Sequence, residues 1–263
     1  MTTAFFYQQP TPLDREQHKQ LKIKPLADAG FAANAHVVPL VGIEFPEACL
    51  EYPIVFGRTD DDNWMALAVT GLAAGENLFI GENRQWSGRY VPASIRRYPF
   101  ILINNGANPY GVAIDLGSAN VGEKLEDGED LFDAAGEPAP MLQSTMNLLA
   151  DFQGQAGATQ AMIKRLVDAD LLVQSDMQVT LADGRAANLA AVWIVDENRL
   201  RNLPDATAAA WFRSGDLALV YGHLLSLRNL PLLLQRRAAL KTLPEPPAQS
   251  APAANAAKTK KKD

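Results

Sequence analysis

Pro53-Ile54-Val55-Phe56, then Thr59-Asp60-Asp61-Asp62-Asn63, then Trp64-Met65-Ala66-Leu67-Ala68-Val69 is the stretch on which the fold class turns. Two short apolar runs, rich in β-branched and aromatic residues, flank a tip made of groups that want water. That is the pattern of an antiparallel hairpin. It recurs downstream. Asn77-Leu78-Phe79-Ile80 and Trp86 to Val91 flank the polar turn Gly81 to Gln85, and Phe100-Ile101-Leu102-Ile103 meets Tyr110 to Asp115 across Asn104-Asn105-Gly106. Asn-Gly supplies the positive φ that tight turns require. Upstream, His36 to Ile43 reads as a buried strand, with Pro39 marking an edge or a bulge. Glu44 to Glu51 has room for a helical turn or two. The first half is therefore expected to be a mostly antiparallel, meandering sheet.

The second half changes period. Residues 117–140 are acidic, small and aperiodic, and are expected to form a long exposed loop. From Thr145 the spacing is helical, with Met162, Ile163, Leu166 and Val167 on one face. Met177 to Ala182, Asp183-Gly184 and Ala187 to Val195 predict a further hairpin. Pro204-Asp205 starts a helix, with Asp205 expected to cap its first turn. Ser214-Gly215-Asp216 stops that helix and starts another, on which Leu217, Val220, Tyr221, Leu224 and Leu225 take core-facing positions until Asn229 and Pro231. His223 falls on the opposite side. The fold class is α+β: the sheet in the first half, helices plus a β-hairpin in the second.

The 263 residues, 48% hydrophobic and 21% charged, suffice for one sizeable core. A partly ordered arm (1–30), one domain (31–240) and a disordered Pro/Ala/Lys tail (241–263) are expected. The tail carries five lysines against Glu245 and Asp263, a net +3, so the net charge of −6 leaves −9 on the first 240 residues. Such a body repels phosphate backbones, which argues against specific nucleic-acid binding. Cys49 is the only cysteine; it excludes an internal disulfide and fits a reducing, cytoplasmic setting. Residues 1–12 lack the charge pattern of a secretory signal. The most apolar segment, Leu217 to Leu234, is interrupted by His223, Arg228, Asn229 and Pro231, so no membrane span is expected.

Motifs for known chemistry are missing: there is no H-E-x-x-H, C-x-x-C, G-x-S-x-G or G-x-G-x-x-G. Gly117 to Lys124 imitates a phosphate loop, but Glu123 takes the lysine's place and would repel the phosphate. The runs Asp60-Asp61-Asp62-Asn63 and Glu123 to Asp130 read as solvated loops, and neither metal nor cofactor is expected. More specific is Arg89 to Phe100, where Arg96 and Arg97 stand between Tyr90 and Tyr98. Such a pair either clamps a carboxylate or phosphate, or forms an ion-paired structural corner. Among the tryptophans, Trp86 beside a turn is the first candidate for a binding platform.

Several phrases together resemble the bacterial SapC family. They are Asn34-Ala35-His36-Val37-Val38-Pro39 leading to Glu44-Phe45, Tyr52-Pro53-Ile54-Val55-Phe56, Gly75-Glu76-Asn77-Leu78-Phe79, and Tyr90-Val91-Pro92 with Ile95-Arg96-Arg97-Tyr98-Pro99-Phe100. Farther on, Asp216-Leu217, Tyr221-Gly222-His223-Leu224-Leu225-Ser226-Leu227 and Asn229-Leu230 look like its C-terminal signature. The resemblance spans roughly residues 30 to 237 and implies a link to surface-layer protein secretion, without supplying catalytic residues.

Two functions compete. The first is a non-catalytic accessory or adaptor protein of a cell-surface or export system, with a protein partner. The alternative is a binder of an anionic small molecule, or an enzyme acting on one, whose site draws on Arg96, Arg97 and Tyr98, with His36, Glu44, Tyr52, Trp86 and His223 as further candidates.

Overall fold

The computed structural model describes residues 6–59, 63–103, 111–180 and 186–240, with backbone alone at 176–180, 186–191 and 240. The Asp60–Asp62 tip, the Asn105-Gly106 and Asp183-Gly184 turns and the Lys-rich tail lie outside the described residues. The chain opens with β1 (Pro10–Pro12), β2 (Lys22–Ile23) and β3 (Val37–Leu40). A 3-10 turn, Gly42–Glu44, leads into α1 (Phe45–Ala48) and then into β4 (Ile54–Arg58) and β5 (Trp64–Val69). After α2 (Ala93–Arg96) come β6 (Phe100–Ile103), β7 (Gly111–Asp115), β8 (Val121–Gly122), β9 (Glu129–Asp130) and α3 (Pro140–Asp168). β10 (Leu172–Thr180) and β11 (Ala186–Val195) precede α4 (Glu197–Arg201), α5 (Asp205–Ser214) and α6 (Asp216–Ser226). A last 3-10 turn, Leu227–Asn229, runs into α7 (Leu230–Leu240).

The class is α+β, and the pairings are antiparallel. Five strands in the order β10-β11-β4-β5-β3 make the main sheet, and two three-stranded sheets, β1-β7-β6 and β8-β2-β9, stand beside it. The hairpin read from Ile54 to Val69 is β4–β5, with Ile54 opposite Ala68. β3 is an edge strand, which accommodates Pro39 because an edge has one side without a ladder to feed.

Three expectations need correction. The segment from Asn77 to Val91 pairs only at the single bridge Ile80 to Trp86, because side chains rather than a ladder hold it. The stretch 117–140 is mostly exposed, as expected, but it is not all loop. It contributes β8 and β9 on either side of β2, strands too short to show a period of two, and buries Val121 in β8 and Leu131 and Phe132 just after β9. Asp205 does not cap α5: Pro204 holds the cap position and Asp205 lies in the first turn, where its charge still opposes the helix dipole favourably.

α3 ties the molecule together. At about 1.5 Å per residue its 29 residues run for roughly 43 Å. Leu142 and Leu149 enter a core with Phe100, Leu102 and Ile114, while Met162, Ile163 and Leu166 enter the larger core beneath the five-stranded sheet. Arg165, near its end, makes a bidentate ion pair with the buried Asp216 at 2.7 and 2.8 Å, which orients α6. Between α5 and α6 stands Gly215 at φ 84°, a left-handed conformation that favours glycine.

Candidate functional site

The sequence candidates separate into distinct places. Arg96, Arg97 and Tyr98 lie together, at the end of α2 and the approach to β6. They line one cavity of about 270 Å³ with Lys24, Glu129 and Thr145. Ile23, Phe100, Met141 and Leu148 form its apolar wall. His36, Glu44, Tyr52, Trp86 and His223 do not line it.

Within that cavity Arg97 is only 8% exposed, and its Nε has no hydrogen-bond partner. Its guanidinium carbon sits 4.6 Å from the centre of the Phe152 ring, a cation–π contact supplied by α3. Its charge also partly offsets the burial that pushes the Tyr7 hydroxyl up to about 12. The nearby carboxylate of Asp115 is engaged elsewhere. Oδ1 accepts the amides of Gln9 (2.7 Å) and Gly117 (3.1 Å), and Oδ2 accepts the amide of Gln8 and the hydroxyl of Tyr98, both at 3.0 Å. Tyr98 stacks on Phe31 with centroids 3.8 Å apart. Arg96 is exposed, its Nε–H donating to the Val91 carbonyl at 3.0 Å.

Glu44, Tyr52 and Trp86 meet in a different place, around Tyr90. Glu44, buried, accepts the Tyr90 hydroxyl (2.8 Å) and the Ala93 amide (2.7 Å) on Oε1 and the Val41 amide (2.8 Å) on Oε2. Glu51 accepts the amides of Arg89 and Tyr90. The Tyr52 hydroxyl donates to the Tyr90 carbonyl, and the Trp86 indole N–H reaches both Tyr52 Oη and that carbonyl at 3.1 Å. A Cβ at position 88 would lie 2.5 Å from Tyr52 Oη and 2.7 Å from the indole nitrogen, so only Gly88 admits this approach. Both carboxylates thus spend their oxygens on backbone amides and, for Glu44, the Tyr90 hydroxyl, and the knot pins the segment 86–93 to the sheet. Replacing Tyr52 with Phe should lower stability by about 1–2 kcal/mol, seen as a lower denaturant midpoint at unchanged slope. A change below the error of that measurement would show that the knot holds nothing.

His36 stands half-buried ahead of β3. Burial pushes its imidazole below the ordinary value, the nearby Glu76 charge opposing this. The reading of α6 holds for Val220, Leu217 and Leu224, which pack on the core, and fails at His223. His223 is fully buried, whereas Tyr221 and Leu225, assigned to the core, are 52% and 56% exposed. The buried stripe is mixed: Asp216, Val220, His223 and Ser226, continued by the half-buried Asn229. Val195 N–H donates to His223 Nε2 at 3.0 Å, and Nδ1 lies 2.8 Å from the Ile54 carbonyl, so the ring is the Nδ1–H tautomer. Ser226 Oγ accepts the Ile54 amide, and Asn229 donates to the carbonyls of Cys49 and Tyr52.

The register gives this its meaning. β11 and β4 pair at Trp193 and Phe56, and two residues farther along the same register Val195 faces Ile54. There the imidazole stands between the N–H and the C=O that a continued ladder would have joined. A side chain from α6 has replaced a rung of the sheet.

Among the described residues, no group of His, Cys, Asp and Glu is arranged to hold a metal ion. The SapC family model matches residues 13–233. The chain belongs to the SapC family. No curated protein and no solved structure matches it. In this SapC-family chain the phrases that carried the resemblance gather at three joints. Glu44, Tyr52 and Tyr90 make the knot, Ile95 to Phe100 turn the corner into β6, and Tyr221 to Leu227 deliver His223 and Ser226 to the sheet. Sequence reasoning did not associate Lys24, Asp115, Thr145 or Phe152 with Arg97. They come from segments read as an arm, a strand and a helix, and nothing in their spacing points to the corner.

Proposed function

We propose that this SapC-family chain is a non-catalytic accessory protein of a cell-surface or export system that docks a protein partner on the outer face of α5 and α6. The observation that carries the reading is the exposure of Phe212 (77%), Tyr221 and Leu225 on that helix pair. Tyr221 and Leu225 are one turn apart. Leu50, 63% exposed, follows Cys49, whose carbonyl binds Asn229 one turn beyond Leu225. Apolar groups of this size scattered singly mean little, but aligned on one element they mark a contact surface.

The helical stretch Asp216–Ala239, at 24 residues, is long and apolar enough to cross a membrane, and only 22% of its most apolar part is buried. Its inner face is hydrogen-bonded to the sheet through His223 and Ser226 and packs Val220 and Leu233 into the core, which leaves Tyr221 and Leu225 facing outward. An aromatic residue and leucines rimmed by the exposed Arg213 and Arg228 match the composition of a protein interface. The link to a surface or export system rests on the family.

The test compares wild type with a Tyr221→Glu, Leu225→Lys double variant. Because both side chains face water, folding stability should change by no more than about 0.5 kcal/mol per site. Pull-down from native lysate at near-physiological salt should recover a defined partner with wild type and lose it with the variant. Recovery of the bare chain alone, or equal recovery by both, refutes the docking face.

A further inference from the structure

Burying a guanidinium without an acceptor is costly, and proteins normally pair it or leave it in water. Arg97 meets that rule only in part, through the Tyr7 hydroxyl. No carboxylate lies within ion-pairing distance of it among the described residues, its Nε is unpartnered, and Asp115 gives its oxygens to four other donors. The charge is nonetheless held in place, with Phe152 against the guanidinium and the side chain lining the cavity. A fixed, planar guanidinium with the Tyr7 hydroxyl as its polar neighbour and no carboxylate partner, held in a hollow, is a preorganised receptor for an anion.

The surroundings narrow the anion. Lys24 and Arg96 add positive charge, while Glu129, also in the lining, opposes a second negative charge. The opposite wall is apolar, and it includes Leu148, which is 46% exposed. At about 270 Å³ the cavity sits at the lower edge of the roughly 300–1,000 Å³ usual for small-molecule sites. We propose that this cavity binds a small monocarboxylate with an apolar body, the carboxylate on Arg97 and Arg96 and the body against Phe100, Met141 and Leu148. Aryl and short alkyl carboxylates fit; inorganic phosphate, as a dianion with nothing for the apolar wall, does not.

Calorimetric titration of the full chain with phenylacetate, octanoate and inorganic phosphate tests this. At least one of the two carboxylates should bind, and more tightly than phosphate. Arg97→Met, which keeps a flexible apolar contact with Phe152, should raise the dissociation constant at least about tenfold without lowering the melting temperature of the unliganded chain. Arg96→Gln, at an exposed position, should weaken binding several-fold and decides the matter if Arg97→Met does not fold. Failure of both carboxylates to bind, tighter binding of phosphate, or an affinity indifferent to the arginine substitution overturns the proposal.

Discussion

Replacing His223 with Ala should cost about 4 kcal/mol or more, the largest effect of any single side chain considered. The substitution leaves the Val195 N–H and the Ile54 carbonyl without partners in a buried region, at about 1–3 kcal/mol each, and adds the cavity left by the ring. For a domain of this size that corresponds to a fall in melting temperature of roughly 10 °C. His223→Phe separates the two contributions, since it fills the space beside Phe56, now 4.9 Å from the imidazole, but restores neither hydrogen bond. It should recover less than half of the loss. If either variant melts within about 2 °C of wild type, the imidazole is no rung of the sheet.

The same residue sets a pH dependence. Burial holds the His223 imidazole at about 4, against 6.5 for the free side chain. In the folded chain it stays neutral, keeping Nε2 free to accept from Val195, while the unfolded chain takes up a proton below 6.5. The unfolded state therefore binds more protons between about 4 and 6.5. Stability is complete above 6.5, falls as the pH drops through that window, and levels off below about 4. At about 1.4 kcal/mol per pH step the loss amounts to roughly 3 kcal/mol. His36 adds a contribution of the same sign, so His223→Phe should flatten the profile without abolishing it. Chemical denaturation at a series of pH values reads this directly; an unchanged slope in the variant would contradict it.

Asp115→Ala should be nearly as damaging, at about 3–4 kcal/mol. Its oxygens accept from Gln8, Gln9, Gly117 and Tyr98, and a carboxylate that fixes β1 to β7 also fixes the corner at Tyr98. Pro10 and Pro12 have no amide hydrogens, so β1 has few backbone bonds of its own and depends on this side chain. Asp115→Asn should rescue little, because donors face both oxygens and the introduced NH2 confronts one set of them. Hydrogen exchange at Gln8, Gln9 and Leu13 should accelerate in both variants. Loss of less than about 1 kcal/mol in the alanine variant would mean that β1 is anchored by other means.

Much of the fold was legible because its signals are local. The Ile54–Val69 hairpin, the edge position of Pro39, the helix through Met162 and Leu166, and the break at Gly215 each follow from propensities and periods within a few residues. The Arg96-Arg97-Tyr98 cluster was legible for the same reason, since three contiguous residues need no folding to be neighbours. Other features escaped. β8 and β9 are two residues each, too short to alternate, and their pairing depends on β2, roughly a hundred residues earlier.

α6 shows where sequence reading stops. By itself the sequence determined that residues 216–226 are helical and that one face is more apolar than the other. It could not determine which face turns inward, because that depends on what waits in the core. What waits is a gap in the ladder between β11 and β4, with an N–H and a C=O to satisfy; an unpaired buried backbone group costs more than exposing Tyr221 and Leu225. The tertiary structure therefore placed His223 and Ser226 inside beside Val220, and left Tyr221 and Leu225 outside. It likewise decided that Asp115 serves the N-terminal strand and leaves Arg97 without a carboxylate, since the allocation of one carboxylate among competing donors is settled by distances in space.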